Sequence, residues 1–261
     1  MRLLVKIGGT LLDAEASRRR LAAELAPASS GAELVVVHGG GKQMTRFLAE
    51  RGIESRFVNG LRVTTPETLD AVLKVLAGSV NQELVAALIA AGARAVGLSG
   101  VDASITEAET MAPELGAVGR VVRSNAGLLT LLTSNGYVPV VACVAGDREG
   151  RIFNVNADQM ASACAVAFQA DRLIFLTDVN GVLGTNGELL PVLTASGGEQ
   201  LIRTGVATGG MQAKLNAAIE ALRKGVREIV IAPGGESGII SRILSGEAVG
   251  SRLIEEDLAL A

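Results

Sequence analysis

An α/β fold on a largely parallel sheet is the class that this sequence predicts. Hydrophobic residues make up 49% of its 261 positions and aromatic residues only 2%, so Ala, Val, Leu and Ile must fill the core, as suits helices packed on buried strands. Short β-branched runs recur along the chain, and most are separated by Ala- and Leu-rich stretches of helical period. Glycine or asparagine turn signals follow several of these runs, which gathers exposed backbone at one sheet edge, where open α/β sheets bind ligands.

The predicted strands lie at residues 3–7, 34–37, 95–98, 138–141, 173–176 and 228–231, with clear helical patterns over 67–91 and 211–224. The turns sit at Gly8-Gly9, at Gly39-Gly40-Gly41 and at Asn180-Gly181. Residues 57–64 and 105–123 break the rhythm and read as hairpins decorating the sheet, candidate lids over a substrate. Residues 124–146 carry no formal charge and are long enough to raise the question of a membrane span, but Asn135-Gly136 and Pro139 divide them. They read instead as a helix from about Asn125, a turn, and a buried strand over 137–143. With no internal repeat or Pro-rich linker, two lobes in one compact domain are expected, meeting near Leu176: residues 1–176 and 177–261.

Charge argues against nucleic acid as a partner, because 24 basic and 27 acidic residues give a net charge of −3 and no basic footprint. Cys143 and Cys164 lie in apolar surroundings without metal-ligand spacing, so buried reduced thiols are expected, and no metal site is assigned to the protein. The first residues lack a basic region followed by a long apolar stretch, so the expectation is a cytoplasmic protein with no signal peptide.

Only five of the 24 basic residues are lysines, and two stand where a lysine is unfavourable. Lys6 interrupts an apolar strand just before Gly8-Gly9, where an uncompensated ammonium is costly unless an anion sits nearby; a lysine snorkelling from the strand end or paired with a carboxylate is the alternative. Lys214 falls about one turn into the helix that Thr208-Gly209-Gly210 introduces, close to the positive end of the helix dipole. It also borders the stripe Met211, Leu215, Ala218, Leu222, so it should point partly inward; an ordinary exposed helix lysine is the alternative. The run Val37-His38-Gly39-Gly40-Gly41-Lys42 is a strand, three glycines and a helix start, whose amides can close on an anion. It lacks the Walker and dinucleotide-binding spacings, so it binds phosphate by another scheme or is merely a tight turn. His38 is the sole histidine and no GxSxG elbow occurs, which makes hydrolase chemistry a poor reading. Asn156 can cap the helix that follows it, with Asp158 in the first turn, which leaves Asn154 able to recognise a polar ligand. Arg62 lies in a short hairpin, where its planar fork could hold a carboxylate.

In chain order the sequence contains KIGG, HGGG, NGLRVT, NVNADQ, TDVNGVL and TGGMQAK, and over nearly its whole length it resembles the acetylglutamate kinases of the amino-acid kinase family. The resemblance implies a three-layer αβα sandwich on a mainly parallel open sheet, with residues 1–176 binding an acyl amino acid and 177–261 binding ATP. It implies that Lys6 and Lys214 neutralise the transferring phosphoryl group, that Asp158 holds both ammonium groups, and that the amides of Gly8, Gly9 and Gly41 add hydrogen bonds. Gly40, Gly41, Arg62 and Asn154 would hold N-acetyl-L-glutamate, whose own carboxylate is the nucleophile. Asp178, Val179, Asn180, Gly181, Val182 and Leu183, with Val206, Ala207 and Thr208, would line the nucleotide site, and Mg²⁺ would be held mainly by the nucleotide phosphates. One departure is Val101, where many such kinases have a lysine.

The alternatives are a kinase of the same fold acting on N-acetyl-aminoadipate or N-succinylglutamate, and a non-catalytic metabolite-binding sensor. A sensor, however, has no need of two lysines that act on a phosphoryl group in flight. Arginine-inhibited members of the resembled family carry an extra helix before the first strand, and here only Met1 and Arg2 precede Leu3. The resulting expectation is an arginine-insensitive homodimer whose interface uses the long apolar helix around Leu69 to Leu88.

Overall fold

The computed structural model describes residues 1–255. It opens with β1 (Arg2–Ile7), α1 (Glu15–Gly31), β2 (Glu33–His38), α2 (Gly41–Ala49) and a hairpin of β3 (Phe57–Val58) and β4 (Leu61–Arg62). Then come α3 (Pro66–Val72), a π-helical stretch over Leu73–Val80, α4 (Asn81–Ala90), β5 (Ala95–Ser99), β6 (Thr106–Thr110), β7 (Val118–Ser124), α5 (Gly127–Ser134), β8 (Val138–Ala142), β9 (Val144–Gly146) and β10 (Ile152–Val155). The last part holds α6 (Ala157–Phe168), β11 (Arg172–Thr177), β12 (Val192–Thr194), α7 (Ala195–Arg203), α8 (Gly209–Arg223), β13 (Glu228–Pro233), α9 (Ile239–Leu244) and β14 (Ser251–Ile254).

Eight strands form one sheet in the order β12-β14-β13-β11-β1-β2-β8-β5, parallel throughout except where β14 runs against β13. Strands β1, β2 and β8 are apolar along nearly their whole length because both faces are covered, and Lys6 is the one buried charge on β1. Every strand predicted from the sequence is present, most a residue or two longer than its apolar run. The unbroken sheet passes from β1 directly to β11, so both halves of the chain share one hydrophobic core. The two hairpins read from the broken rhythm are also present. The second was not foreseen in its context: β6 and β7 close with β9 and β10 into a four-stranded barrel beside the sheet.

Residues 124–146 divide as the turn signals require, into α5, a turn with Gly136 at φ +74°, and buried β8. The continuous helix Pro66–Ala90 is long and apolar enough to cross a membrane, with mean hydropathy 1.5 in its most apolar window, of which 44% is buried. Val72, Val75, Leu76, Val80, Leu84, Val85 and Leu88 all face the protein's own core. Ile89 is exposed, Leu69 and Leu73 are partly buried, and several alanines of the same helix, among them Ala86 and Ala90, are left uncovered.

Helix α6 is fixed at both ends. The Asn156 side-chain oxygen accepts from the amides of Asp158 (2.9 Å) and Gln159 (3.1 Å), capping the first turn as predicted. Phe168 in the last turn is fully buried. Phe168→Ala should destabilise the protein by about 3–5 kcal/mol, the usual cost of emptying an aromatic core site, read as a lower urea midpoint. A midpoint within experimental error of the parent would show that Phe168 does not anchor α6.

Candidate functional site

Strand β1 carries Lys6 up from the sheet, the first turn of α6 carries Asp158, and the second turn of α8 carries Lys214. The three side chains meet. Lys6 Nζ lies 2.7 Å from Asp158 Oδ1, and Lys214 Nζ lies 3.2 Å from Oδ2 and 3.4 Å from Oδ1. All three are nearly sealed from solvent, at 7%, 7% and 8% relative exposure. Lys214 also stands 5.7 Å from the centre of the Phe175 ring. Burial is the largest single influence on Asp158 and opposes its ionisation, but the two ammonium groups together outweigh it and hold the carboxyl below the ordinary range. For Lys214, burial and then the charge of Lys6 lower the pKa against the pull of Asp158 and Asp178. The centre thus holds two cations and one anion in a desolvated space. Two unit charges 4 Å apart interact by about 4 kcal/mol at an effective dielectric of 20, so a further anion there would be strongly favoured.

Two glycine loops abut this centre. A Cβ on Gly9 would come within 2.9 Å of the Gly41 amide nitrogen and 3.0 Å of the Gly40 backbone, so only glycine allows the loops to approach so closely. Helix α2 begins at Gly41 with no side chain capping it, leaving its first amides and positive dipole end available to an anion. The Gly8 amide donates to the Leu176 carbonyl at 2.9 Å. This corrects the expectation that Gly8, Gly9 and Gly41 all offer amides to the transferring group: the Gly8 amide is already committed to the sheet.

A cavity of about 190 Å³ opens beside the loops, lined by Gly40, Gly41, Arg62, Asn154 and the apolar side chains of Met44 and Leu76, among others. Two larger clefts, of about 640 Å³ each, lie away from the buried lysines, one between α1 and α4 and one around Arg2 and Arg227. Size does not identify the site here; the convergence of charge and uncapped amides does. Arg62 reaches over the cavity, where its guanidinium donates to the Gly41 carbonyl (3.1 Å) and the Thr45 hydroxyl (2.8 Å) and lies over the Phe57 ring at 4.6 Å. Asn154 donates from Nδ2 to the Thr64 hydroxyl at 3.1 Å.

Asp178, Val179, Asn180, Gly181 and Leu183 follow β11 at the same sheet edge, with the Asp178 charge acting on Lys214, and Thr208 precedes α8. Val182 and Ala207 are buried in the core, so their side chains line no open site. Gly181 has φ +147°, and a Cβ there would lie 2.7 Å from Ser251 Oγ, which accepts the Val182 amide. The residues that the sequence reading missed are second partners: Ser162, whose hydroxyl donates to the Ala217 carbonyl and ties α6 to α8, and Gln43, which donates to the Gly9 carbonyl. No periodicity marks such residues, since each is defined by what it faces across the fold.

The doubly held carboxylate between buried lysines, at the carboxyl edge of a parallel sheet, goes with a relationship visible along the sequence. A family model described as the amino acid kinase family matches residues 1–233, and the chain belongs to that family. The acetylglutamate kinase of Solibacter usitatus (strain Ellin6076) is 66% identical over 97% of this chain and 99% of its own length. That of Acidobacterium capsulatum is 42% identical over 94% of this chain and 95% of its own. Among solved structures, the N-acetylglutamate synthase from Neisseria gonorrhoeae complexed with coenzyme A and N-acetyl-glutamate superposes with a TM-score of 0.87 at 25% identity. The match covers 98% of this chain and 59% of that longer one. The carbamate kinase from Giardia lamblia bound to AMP-PNP shares the fold, with a TM-score of 0.73 at 19% identity over 98% of both chains.

His38 sits below the glycine loop with no exposed surface, and burial lowers its pKa to about 4. Asn81 donates to its Nε2 (3.0 Å), so Nδ1 carries the proton and donates to the Gly39 carbonyl (3.0 Å). Between pH 6.5 and about 4 the unfolded chain binds a proton here that the folded chain does not, so stability rises with pH across this window. About 3 kcal/mol should be lost on acidification from pH 6.5 to 4, and His38→Gln should flatten that slope. Asp158 acts in a separate window, its contribution complete above its unfolded pKa and lost as the pH falls through its depressed folded value, below about 4. Urea midpoints measured from pH 7 to 4 test this, and an unchanged slope in His38→Gln would show that His38 is not the titrating group.

Proposed function

We propose that this chain transfers the terminal phosphoryl group of ATP to the side-chain carboxylate of N-acetyl-L-glutamate, giving N-acetyl-glutamyl 5-phosphate, a step of arginine biosynthesis. The observation that carries the reading is the buried Lys6–Asp158–Lys214 centre, with the cavity holding Arg62 and Asn154 beside the glycine loops and the Asp178 charge acting on Lys214. The chain is a kinase, and its high identity to acetylglutamate kinases favours acetylglutamate over the aminoadipate and succinyl acceptors and over a non-catalytic sensor.

Phosphoryl transfer asks a protein mainly for alignment and charge. Lys6 and Lys214 would meet the phosphoryl group, and Asp158 holds both ammonium groups in place through one shared carboxylate. Their attraction grows as negative charge spreads over the oxygens in flight, which lowers the barrier more than it tightens substrate binding. The amides of Gly9 and Gly41 add donors on the side of the glycine loops. The acceptor carboxylate is already ionised at neutral pH, so no general base is required, and His38, buried with both nitrogens engaged, is not placed to be one. Arg62 and Asn154 bind the acyl amino acid, with Met44 and Leu76 as apolar wall.

Asp158 is committed to the two ammonium groups, so Mg²⁺ fits best on the phosphates of the nucleotide, as an ion that keeps most of its waters usually does. In this reading residues 1–176 form the acyl-amino-acid lobe and 177–255 the described part of the ATP lobe, with Asp178–Leu183 and Val206–Thr208 at the nucleotide, Val182 and Ala207 through backbone only. We further propose a cytoplasmic homodimer, to which the long helix contributes its uncovered residues Leu69, Leu73 and Ile89.

ADP release by purified protein should be fastest with N-acetyl-L-glutamate in a panel that also holds N-succinylglutamate, N-acetyl-aminoadipate, free glutamate, aspartate and UMP. Equal or faster release with another acceptor would overturn the assignment. Lys214→Ala should lower kcat by about a hundredfold or more while the KM for either substrate changes little, the pattern of a charge used in the transition state. Near-normal turnover would remove Lys214 from the chemistry.

A further inference from the structure

We propose that Thr64 is a positioning residue for acyl-substrate recognition: its hydroxyl links Arg62 to Asn154 and dictates which end of the Asn154 amide faces the cavity. The inference rests on the reading of Arg62 and Asn154 as substrate contacts, and deepens it.

Thr64 follows Arg62 by two residues, at the end of the hairpin, and its side chain is completely buried. Its hydroxyl carries one proton, which it donates to the carbonyl of Arg62 at 2.9 Å. A carbonyl can only accept, so the Thr64 oxygen has nothing left to offer but a lone pair. The Asn154 atom 3.1 Å away must then be the nitrogen, Nδ2, and the amide cannot turn over without placing two acceptors against each other. The second N–H and the oxygen of Asn154 are thereby held in one arrangement for the substrate, and the same hydroxyl pins the backbone of the residue that carries the guanidinium.

Mere tethering does not require this bond. The Thr64 amide already donates to the Leu115 carbonyl (2.9 Å), and its carbonyl accepts from the Ala117 amide (2.8 Å). The Ala117 carbonyl in turn accepts from the Asn154 amide (2.9 Å), so the backbone alone ladders the hairpin to β7 and β10. Gly116 is part of the same seam, at φ +66° with no room for a Cβ against the Thr64 carbonyl. The hydroxyl crosses above this ladder and adds orientation to segments that the backbone has already joined. The arrangement makes Arg62 and Asn154 a coupled pair, although they are far apart in the chain.

Thr64→Val keeps the shape and the backbone ladder and removes only the hydroxyl. The KM for N-acetyl-L-glutamate should rise about tenfold, the scale of one lost hydrogen bond with its partners left unpaired, while kcat and the KM for ATP stay within about twofold. Thr64→Ser should restore the parental KM to within about threefold. In an Asn154→Ala background, Thr64→Val should add little, because residues acting through one another are not additive. If Thr64→Val does not fold, Thr64→Ala serves as the hydroxyl-free variant. The proposal is overturned if Thr64→Ser, which keeps the hydroxyl, is as impaired as Thr64→Val, which would assign the effect to packing at this buried position, or if the two substitutions combine additively. A normal KM in Asn154→Ala and Arg62→Ala themselves would instead overturn the substrate-site reading on which the proposal rests.

Discussion

The structure is organised around one electrostatic constraint, a carboxylate held between two ammonium groups away from water. A single buried cation would be unstable, and a simple pair would be neutral and indifferent to a ligand. Two cations on one anion leave a net positive charge that is tolerable because Asp158 touches both, and that a phosphoryl group would complete. Three elements must converge to build it: β1 in the middle of the sheet, the first turn of α6 and the second turn of α8. The hydrogen bond from Ser162 to Ala217 fixes the two helices to each other, so the spacing of the lysines is set by rigid elements and not by loops.

Around that charge the protein works mainly with backbone. The loops after β1 and β2 approach within contact distance at Gly9, Gly40 and Gly41, which brings a helix start to the edge of the lysine centre without any side chain between. His38 supports this arrangement from below as a neutral, buried hydrogen-bonding bridge from Asn81 to Gly39. Its role is positional, and its burial is compatible with chemistry that draws on lysine charge and amide dipoles and not on proton transfer.

The cavity proposed for the substrate is built differently, from a hairpin and a small barrel attached to the sheet. Arg62 on the hairpin and Asn154 on β10 reach the same cavity from separate segments, joined through Thr64 and Ala117. In the proposed reading, recognition on an added barrel and phosphoryl chemistry on the sheet could be adjusted separately, since a change in the barrel need not move the lysines. Val101, where a lysine was expected from the resemblance, sits on the exposed turn after β5, with 41% of its surface open.

The sequence by itself determined the strands of the sheet and the α/β class and marked Lys6 and Lys214 as unusually placed, because each leaves a local trace; Asp158 read locally as a first-turn acid, and only the resemblance joined it to the lysines. Apolar runs of strand length are buried, a lysine inside such a run must snorkel to solvent or find an anionic partner, and Asn156 before a helical pattern can cap it. Tertiary structure alone decided that Lys6 and Lys214 share Asp158, that the Gly8 amide belongs to the sheet, and that Val182 and Ala207 turn into the core. It also decided that the second hairpin closes into a barrel, and that Thr64 connects Arg62 with Asn154. These facts depend on which groups face one another after distant segments pack, and hydrogen-bond direction and side-chain orientation leave no periodic mark on the chain. A hydrophobic pattern records only which side of an element is covered; the partner that covers it is chosen by the fold.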